Sequence, residues 1–316
     1  MRRLVLAAAA ILLTSTACAG SEPATTSDGG VQKIKVGAIP IVDVAPLHLG
    51  VKKGFFKEQN LEVEVVNTTG GAAAVPGVVS GEFTFAFGNV VSLIVARSQN
   101  IPLKAVAEGN SSTGMEGKDF GGIVVPKDSP ITSAAQLPGK SVAVNNQKNI
   151  GDTTIRASVR KAGAEPVDIR FTELPFPDMP AAIANKRVDA AWIVEPFFTV
   201  AKNQGAKVIA SNFVDAAPDL TVAVYFTTEK VLQENADLAK RFTTAIEKSL
   251  QYAQDNPDEA RAVLSDYTKI EADVAAQMTL PAWPQEVNKE SVQTIADLML
   301  EDGLIKEKFD VSSVLP

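Results

Sequence analysis

A strand–helix rhythm runs through this chain twice, and it restricts the fold more than any other feature. Short apolar runs read as strands over 33–40, 61–67, 83–89 and 103–109, with helices between them. The first helix starts at Pro46 and stops at Gly54, the second follows Gly70 and Gly71, and the third runs on from Asn89 through Ala96. Pro just inside a helix start and Gly just past its end suit the backbone those positions need. The same order returns over 140–146, 167–174, 188–194 and 207–210, with helices over 153–162, 179–185 and 196–203. At an offset of 105 the segment from Glu82 lies over the one from Arg187: Phe83 meets Val188, Phe87 meets Trp192 and Gln99 meets Gln204. Few letters agree, so the repetition is one of architecture. Alternating strands and helices bury their apolar faces as sheets covered by helices.

The expectation is an α/β protein of two similar lobes. Residues 33–122 form the first part of lobe 1, 123–215 form lobe 2, and 216–316 return to lobe 1. Strand-like segments near Gly121–Val125 and Thr221–Thr227 are expected to cross between the lobes, giving two hinge passages. Helices from Asn235 to Ala253, from Pro257 to Tyr267 and from Ser291 to Leu300 are placed on lobe 1.

Composition removes several classes of function. The formal net charge is −7, and no run of Lys and Arg lies beyond the N-terminus, so a duplex-binding face is not expected and nucleic acid is no partner. Cys18 is the single Cys and His48 the single His. An internal disulfide, a zinc site of several thiolates and a multi-His metal site are therefore excluded, and neither metal nor cofactor is expected. His48 lies between Leu47 and Leu49 and reads as a packed structural residue.

The first residues read as an address. Arg2 and Arg3 precede the apolar run Leu4–Leu13, and the small-residue stretch TSTACAG follows. That order is a secretory signal, and the apolar run is well short of the ~20 residues that cross a bilayer. Residues 1–17 are taken as the signal peptide. The stretch resembles a bacterial lipoprotein signal, with Ser15 where Leu is usual. The expected product is an exported chain acylated at Cys18 and held on the outer face of the cytoplasmic membrane, with 18–32 as a flexible tether.

Ligands of open α/β sheets sit beyond the carboxyl ends of strands, and two lobes bring such ends together in one cleft. Lobe 1 offers Asp43, Gly70, Gly71, Asn89, Glu108 and Asn110; lobe 2 offers Asn145, Asn149, Asp152, Thr153, Trp192 and Glu195. Each has a plainer role open to it. Asp43, Asn89, Asp152 and Thr153 suit helix caps, Gly70 and Gly71 suit a turn, and Trp192 suits the core. Glu195 is the strongest candidate, because packing explains poorly a carboxylate at a strand end before Pro.

Three stretches carry a family resemblance. APLHLGVKKGFFKEQNLEVEVV, SGEFTFAFGN and IANKRVDAAWIVEPFFTVA resemble segments of the solute-binding proteins of nitrate, sulfonate, taurine and thiamine-precursor ABC importers. Thr84 stands where that family usually has Asp, while Asp189 and the Glu195–Pro196 turn are kept. The likeness spans about 33–260. It implies a two-lobed type II periplasmic-binding-protein fold with mixed sheets, no catalysis, and docking of a monomer on a membrane permease.

Within that class the candidate cleft is acidic through Asp43, Glu108, Asp152 and Glu195, with no Arg at a strand end. Arg is the natural bidentate partner of sulfonate. A neutral or cationic heterocycle or amine, stacked on Trp192 or a Phe, therefore fits better than taurine, another sulfonate or nitrate. Two other readings are a pyrimidine-synthase-like enzyme and a sensory lipoprotein that binds without transport. The enzyme's His falls at Val44 here, and one Cys cannot form its Cys-rich motif.

Overall fold

The computed structural model describes residues 30–316. β1 (Gln32–Ala38) leads through a 3-10 turn at Val42–Val44 to α1 (Ala45–Lys53) and α2 (Phe55–Glu58). Then come β2 (Leu61–Asn67), α3 (Gly71–Ser80), β3 (Phe85–Asn89), α4 (Val90–Ser98) and β4 (Leu103–Ser111). The second block holds β5 (Gly121–Val125), β6 (Ser141–Val144), α5 (Ile150–Lys161), β7 (Arg170–Glu173), α6 (Met179–Ala184), β8 (Ala190–Val194), α7 (Phe197–Asn203) and β9 (Lys207–Ala210). It closes through α8 (Asn212–Ala216) and β10 (Thr221–Thr228). The remainder is helical: α9 (Glu229–Glu234), α10 (Ala236–Asp255), α11 (Pro257–Ala262), α12 (Ala272–Gln277) and α13 (Lys289–Glu301). The expected signal peptide at 1–17, Cys18 and most of the expected tether lie outside the described residues. No helix among the described residues is long and apolar enough to cross a membrane.

Two five-stranded mixed sheets result, in the orders β2-β1-β3-β10-β4 and β7-β6-β8-β5-β9. The two orders are the same once the blocks are superposed. In each, three parallel strands are followed by one antiparallel strand that the chain supplies after leaving the other sheet. The offset of 105 carries Phe85–Asn89 onto Ala190–Val194, residue for residue.

That pairing corrects one expectation. Gly121–Val125 and Thr221–Thr228 are not passages between sheets but strands inside them, buried along their whole length. An apolar run that leaves its amides unpaired is costly, and both runs enter the slot between two waiting strands. The passages are the segments 112–120 and 211–220, the second containing α8. The division at 122/123 therefore falls inside β5, and the one at 215/216 inside α8.

α10 shows how the helices attach. Leu238, Phe242, Ala245, Ile246, Ser249, Leu250 and Ala253 recur at three- and four-residue spacing and form its buried stripe against the first sheet. Phe242 stacks on Phe85 with centroids 3.9 Å apart and meets Tyr225 edge-on at 5.9 Å. Asp189, the carboxylate kept from the family pattern, accepts hydrogen bonds from the Ser141 amide and hydroxyl at 2.8 Å and ties β8 to β6. Phe242→Ala should cost about 3–5 kcal/mol of stability, the usual cost of emptying a packed aromatic site. Urea melts check this; a loss below about 1 kcal/mol would show that the stack does not anchor α10.

Candidate functional site

The carboxyl ends of β1, β3, β6 and β8 face one another across a narrow cleft. From the first sheet come Asp43, Gly70, Gly71, Phe87, Gly88 and Asn89, with Val222 and Ala223 of β10. From the second come Asn145, Ile150, Phe176, Trp192, Val194 and Phe213. Glycine is required where the backbones are closest. A Cβ on Gly71 would stand 2.7 Å from the Gly88 Cα, and one on Gly70, whose φ is 152°, would stand 2.4 Å from the Asn146 amide oxygen.

Six of the twelve expected residues line this cleft: Asp43, Gly70, Gly71, Asn89, Asn145 and Trp192. Asn89 does both things foreseen for it. It caps α4, accepting from the Ser92 amide at 2.9 Å, and it also borders the cleft. Trp192 packs edge-on against Phe176 and Phe213 while its indole N–H, buried at the cleft, has no partner. Asp43 caps nothing: α1 has no side-chain cap, and one carboxylate oxygen of Asp43 is unpaired.

The other six lie behind or beside the cleft. Glu195, the strongest expectation, is turned away from it. Its carboxylate accepts from the Thr199 amide at 2.9 Å and hydroxyl at 2.7 Å, with Lys202 at 3.7 Å. Fully buried, it fastens the first turn of α7, where a negative charge meets the positive helix end. Glu108 is held by the hydroxyls of Ser111 at 2.9 Å and Thr221 at 3.3 Å, and burial lifts its pKa well above the ordinary range. Asn110 is fully buried and does not line the cleft, with both amide atoms unpaired. Asn149 is the true cap of α5, which begins at Ile150, so Asp152 and Thr153 are inside the helix. Thr153 donates to the Asn149 carbonyl at 3.3 Å, and Asp152 accepts from the Lys148 amide at 2.8 Å. Burial raises the Asp152 pKa to about 6. His48 stacks on Tyr267 with 4° between the rings, and burial lowers its pKa to about 4.

The two sides touch directly. Asn149 donates to Ser92 at 3.0 Å, Asn145 donates to the Thr69 carbonyl at 3.3 Å, and the Val42 amide donates to the Glu195 carbonyl at 3.2 Å. Among the described residues no Lys or Arg lines the cleft, and Arg156 is spent on the Pro166 carbonyl at 2.6 Å. Strand-end position points to Trp192 but not to the rest of the apolar wall. Phe87 was within reach, because the repeat sets it against Trp192 and both face the cleft.

Fold and cleft together define a two-sheet α/β binding protein, and known proteins say which kind. The NMT1/THI5-like family model matches residues 41–260, and the chain belongs to that family. It is 24% identical over 221 residues to the formylaminopyrimidine-binding protein of Halalkalibacterium halodurans, covering 69% of this chain and 64% of that one. To the putative aliphatic sulfonates-binding protein of Bacillus subtilis it is 22% identical over 325 residues, covering 100% and 95%. In three dimensions it resembles the ligand-binding component of an ABC-type import system from Staphylococcus aureus, with a TM-score of 0.77 at 18% identity over 90% of this chain and 96% of that one.

Asp43 gives the site a pH signature. Burial lifts its pKa from 3.8 to about 7; its own backbone amide and Asn110 oppose the rise, and the charge on Asp119 adds to it. The unfolded chain releases this proton near 3.8 and the folded chain near 7. The folded state thus binds more protons between those values, and the stability Asp43 contributes at low pH is lost as pH rises through about 7. Asp43→Asn should therefore gain stability over the parent at pH 8 and little at pH 4. Paired urea melts test this; an equal gain at both values would refute the shift.

Proposed function

We propose that the chain is the extracytoplasmic substrate-binding component of an ABC importer, a monomer that captures a small organic solute in the cleft and delivers it to a membrane permease without chemical change. The observation that supports this most is a cleft between two sheets whose walls meet through a few hydrogen bonds and whose lining keeps buried polar atoms unpaired. An entering ligand can give such groups partners. Membership of the NMT1/THI5-like family and likeness to an import-system component support the same reading. In this reading the passages at 112–120 and 211–220 flex, and the solute stabilises the closed form because it touches both walls. Compaction in small-angle scattering on adding a bound solute tests the closure; an unchanged radius with proven binding would overturn it.

The solute we favour is a neutral or cationic heterocycle or amine lying against Trp192 and Phe87. A cleft with Asp43 and no cation suits it, as does likeness to a formylaminopyrimidine-binding protein. A sulfonate is the second reading, favoured by the relative in Bacillus subtilis. Trp192→Ala should weaken solute binding by about tenfold or more, roughly 1.4 kcal/mol. Calorimetry with a panel of aminopyrimidines, amines and alkanesulfonates tests both points; tight taurine binding with no response to the others would reverse the choice. We further propose export through 1–17 and lipid attachment at Cys18. Metabolic labelling with an alkyne fatty acid should tag the parent and not Cys18→Ala.

A further inference from the structure

At the cleft and in the core next to it lie three buried polar side chains that keep unpaired atoms. Asp43, Asn110 and Tyr225 are 3%, 0% and 0% exposed. One oxygen of Asp43, both amide atoms of Asn110 and the hydroxyl of Tyr225 have no hydrogen-bond partner. The three belong together. The Asn110 side chain is near enough to Asp43 to favour its charged form, and burial, with the Asp43 charge adding to it, pushes the Tyr225 phenol upward.

Strand register explains the placement. Asn110 of β4 pairs with Ala223 of β10, and Tyr225 is two residues further along the same face of β10. Ala223 is in the cleft wall, and the Tyr225 ring meets the wall residue Phe87 at 5.3 Å. Asp43 reaches the cleft itself. The charged or titratable neighbours that act on Asp43 and Tyr225 are Asp119 and Tyr267, and neither is a cation. Tyr267 already donates to the Ile41 carbonyl at 3.0 Å.

A buried polar atom left without a partner is destabilising, and native proteins rarely gather several at one point. We infer that Asp43, Asn110 and Tyr225 form a polar floor to the cleft, held unpaired for the solute, and that Tyr225 is a specificity-determining residue. The floor offers two acceptors, the Asp43 oxygen and the Asn110 carbonyl, and two donors, the Asn110 amide and the Tyr225 hydroxyl. Across the cleft, the Trp192 N–H and the Asn145 carbonyl repeat the mixture. A solute edge carrying both N–H groups and acceptor atoms, such as a ring nitrogen beside an exocyclic amine or amide, satisfies all of them. A sulfonate only accepts; it leaves the Asp43 and Asn110 oxygens unmatched and sets its charge against a carboxyl group. This inference rests on the receptor reading and sharpens it.

Tyr225→Phe tests it in two arms. In protein freed of solute by unfolding and refolding, removing an unpaired hydroxyl should raise Tm by on the order of 2 °C. A fall in Tm would show that the hydroxyl has a partner and would overturn the floor whether or not the protein is a receptor. In the second arm, calorimetry uses 4-amino-5-aminomethyl-2-methylpyrimidine, its N-formyl derivative and ethanesulfonate. The parent should bind a pyrimidine and not the sulfonate, and Tyr225→Phe should weaken that binding about tenfold. Unchanged pyrimidine affinity would remove Tyr225 from the site. Sulfonate binding alone would overturn the floor's chemistry while leaving the receptor reading intact, and no response to any probe would count against both.

Discussion

Each sheet is completed by a strand that arrives from the other. β10 enters antiparallel between β3 and β4, and β5 does the same between β8 and β9. Without its guest strand each sheet would hold two rows of unpaired amides in a buried setting, a cost no local rearrangement removes. The exchange forces the chain to pass between the sheets twice and at neighbouring points, at 112–120 and 211–220. It also sets the cleft. Ala223 becomes part of the wall because β10 lies beside β3, and the β4–β10 register pairs it with Asn110. The functional surface is a consequence of how the sheets are closed.

The electrostatics of the site follow from dryness more than from charge. Asp43 and Glu108 are both lifted chiefly by burial, and hydroxyl or amide neighbours only partly restore their acidity. They differ in what surrounds them. Glu108 has Ser111 and Thr221 as donors and is finished as a structural group, joined through Thr221 to the Asn288 amide at 2.9 Å. Asp43 has one oxygen free at the cleft. Two buried carboxylates, one on β4 and one in the turn after β1, thus divide into a brace and a candidate contact, and hydrogen-bond inventory separates them where charge alone does not.

Much of the architecture was legible because periodicity and punctuation report on local structure. The superposition of Glu82 on Arg187 carried through to two sheets of the same strand order. The site was legible only in part. Asp43, Asn89 and Trp192 were reached by the rule that ligands sit at strand ends, which is a rule about backbone position. Glu195 obeyed that rule and still pointed away, because Thr199 four residues on offered it an amide and a hydroxyl at the start of α7. Side-chain direction depends on partners that strand position does not reveal. Asp152 and Thr153 failed for a smaller reason: Asn149 started the helix three residues before Thr153, and nothing in the pattern ranked one cap above another. Tyr225 was hidden in a run that reads as plain core.

The contact between the sheets has the character that the proposed opening requires. Asn149 with Ser92, Asn145 with Thr69, and Val42 with Glu195 are ordinary hydrogen bonds, each worth about 0.5–1.5 kcal/mol net because water replaces it when broken. At the far end Arg160 of α5 pairs with Glu301 at 2.9 Å and with Asp302, joining the second sheet's helix to the end of α13. Polar links of this kind hold a single geometry when closed and lose little when solvated, whereas a large apolar interface would hold the walls shut at any solute concentration. Most of the cleft lining is apolar, from Ile39, Ile41 and Phe87 on one side to Ile150, Phe176, Trp192 and Phe213 on the other, and Phe87, Phe176 and Trp192 also pack within their own half. In the proposed receptor a bound solute would supply partners to the unpaired atoms of the cleft while touching both walls, and that differential contact is what would favour the closed state.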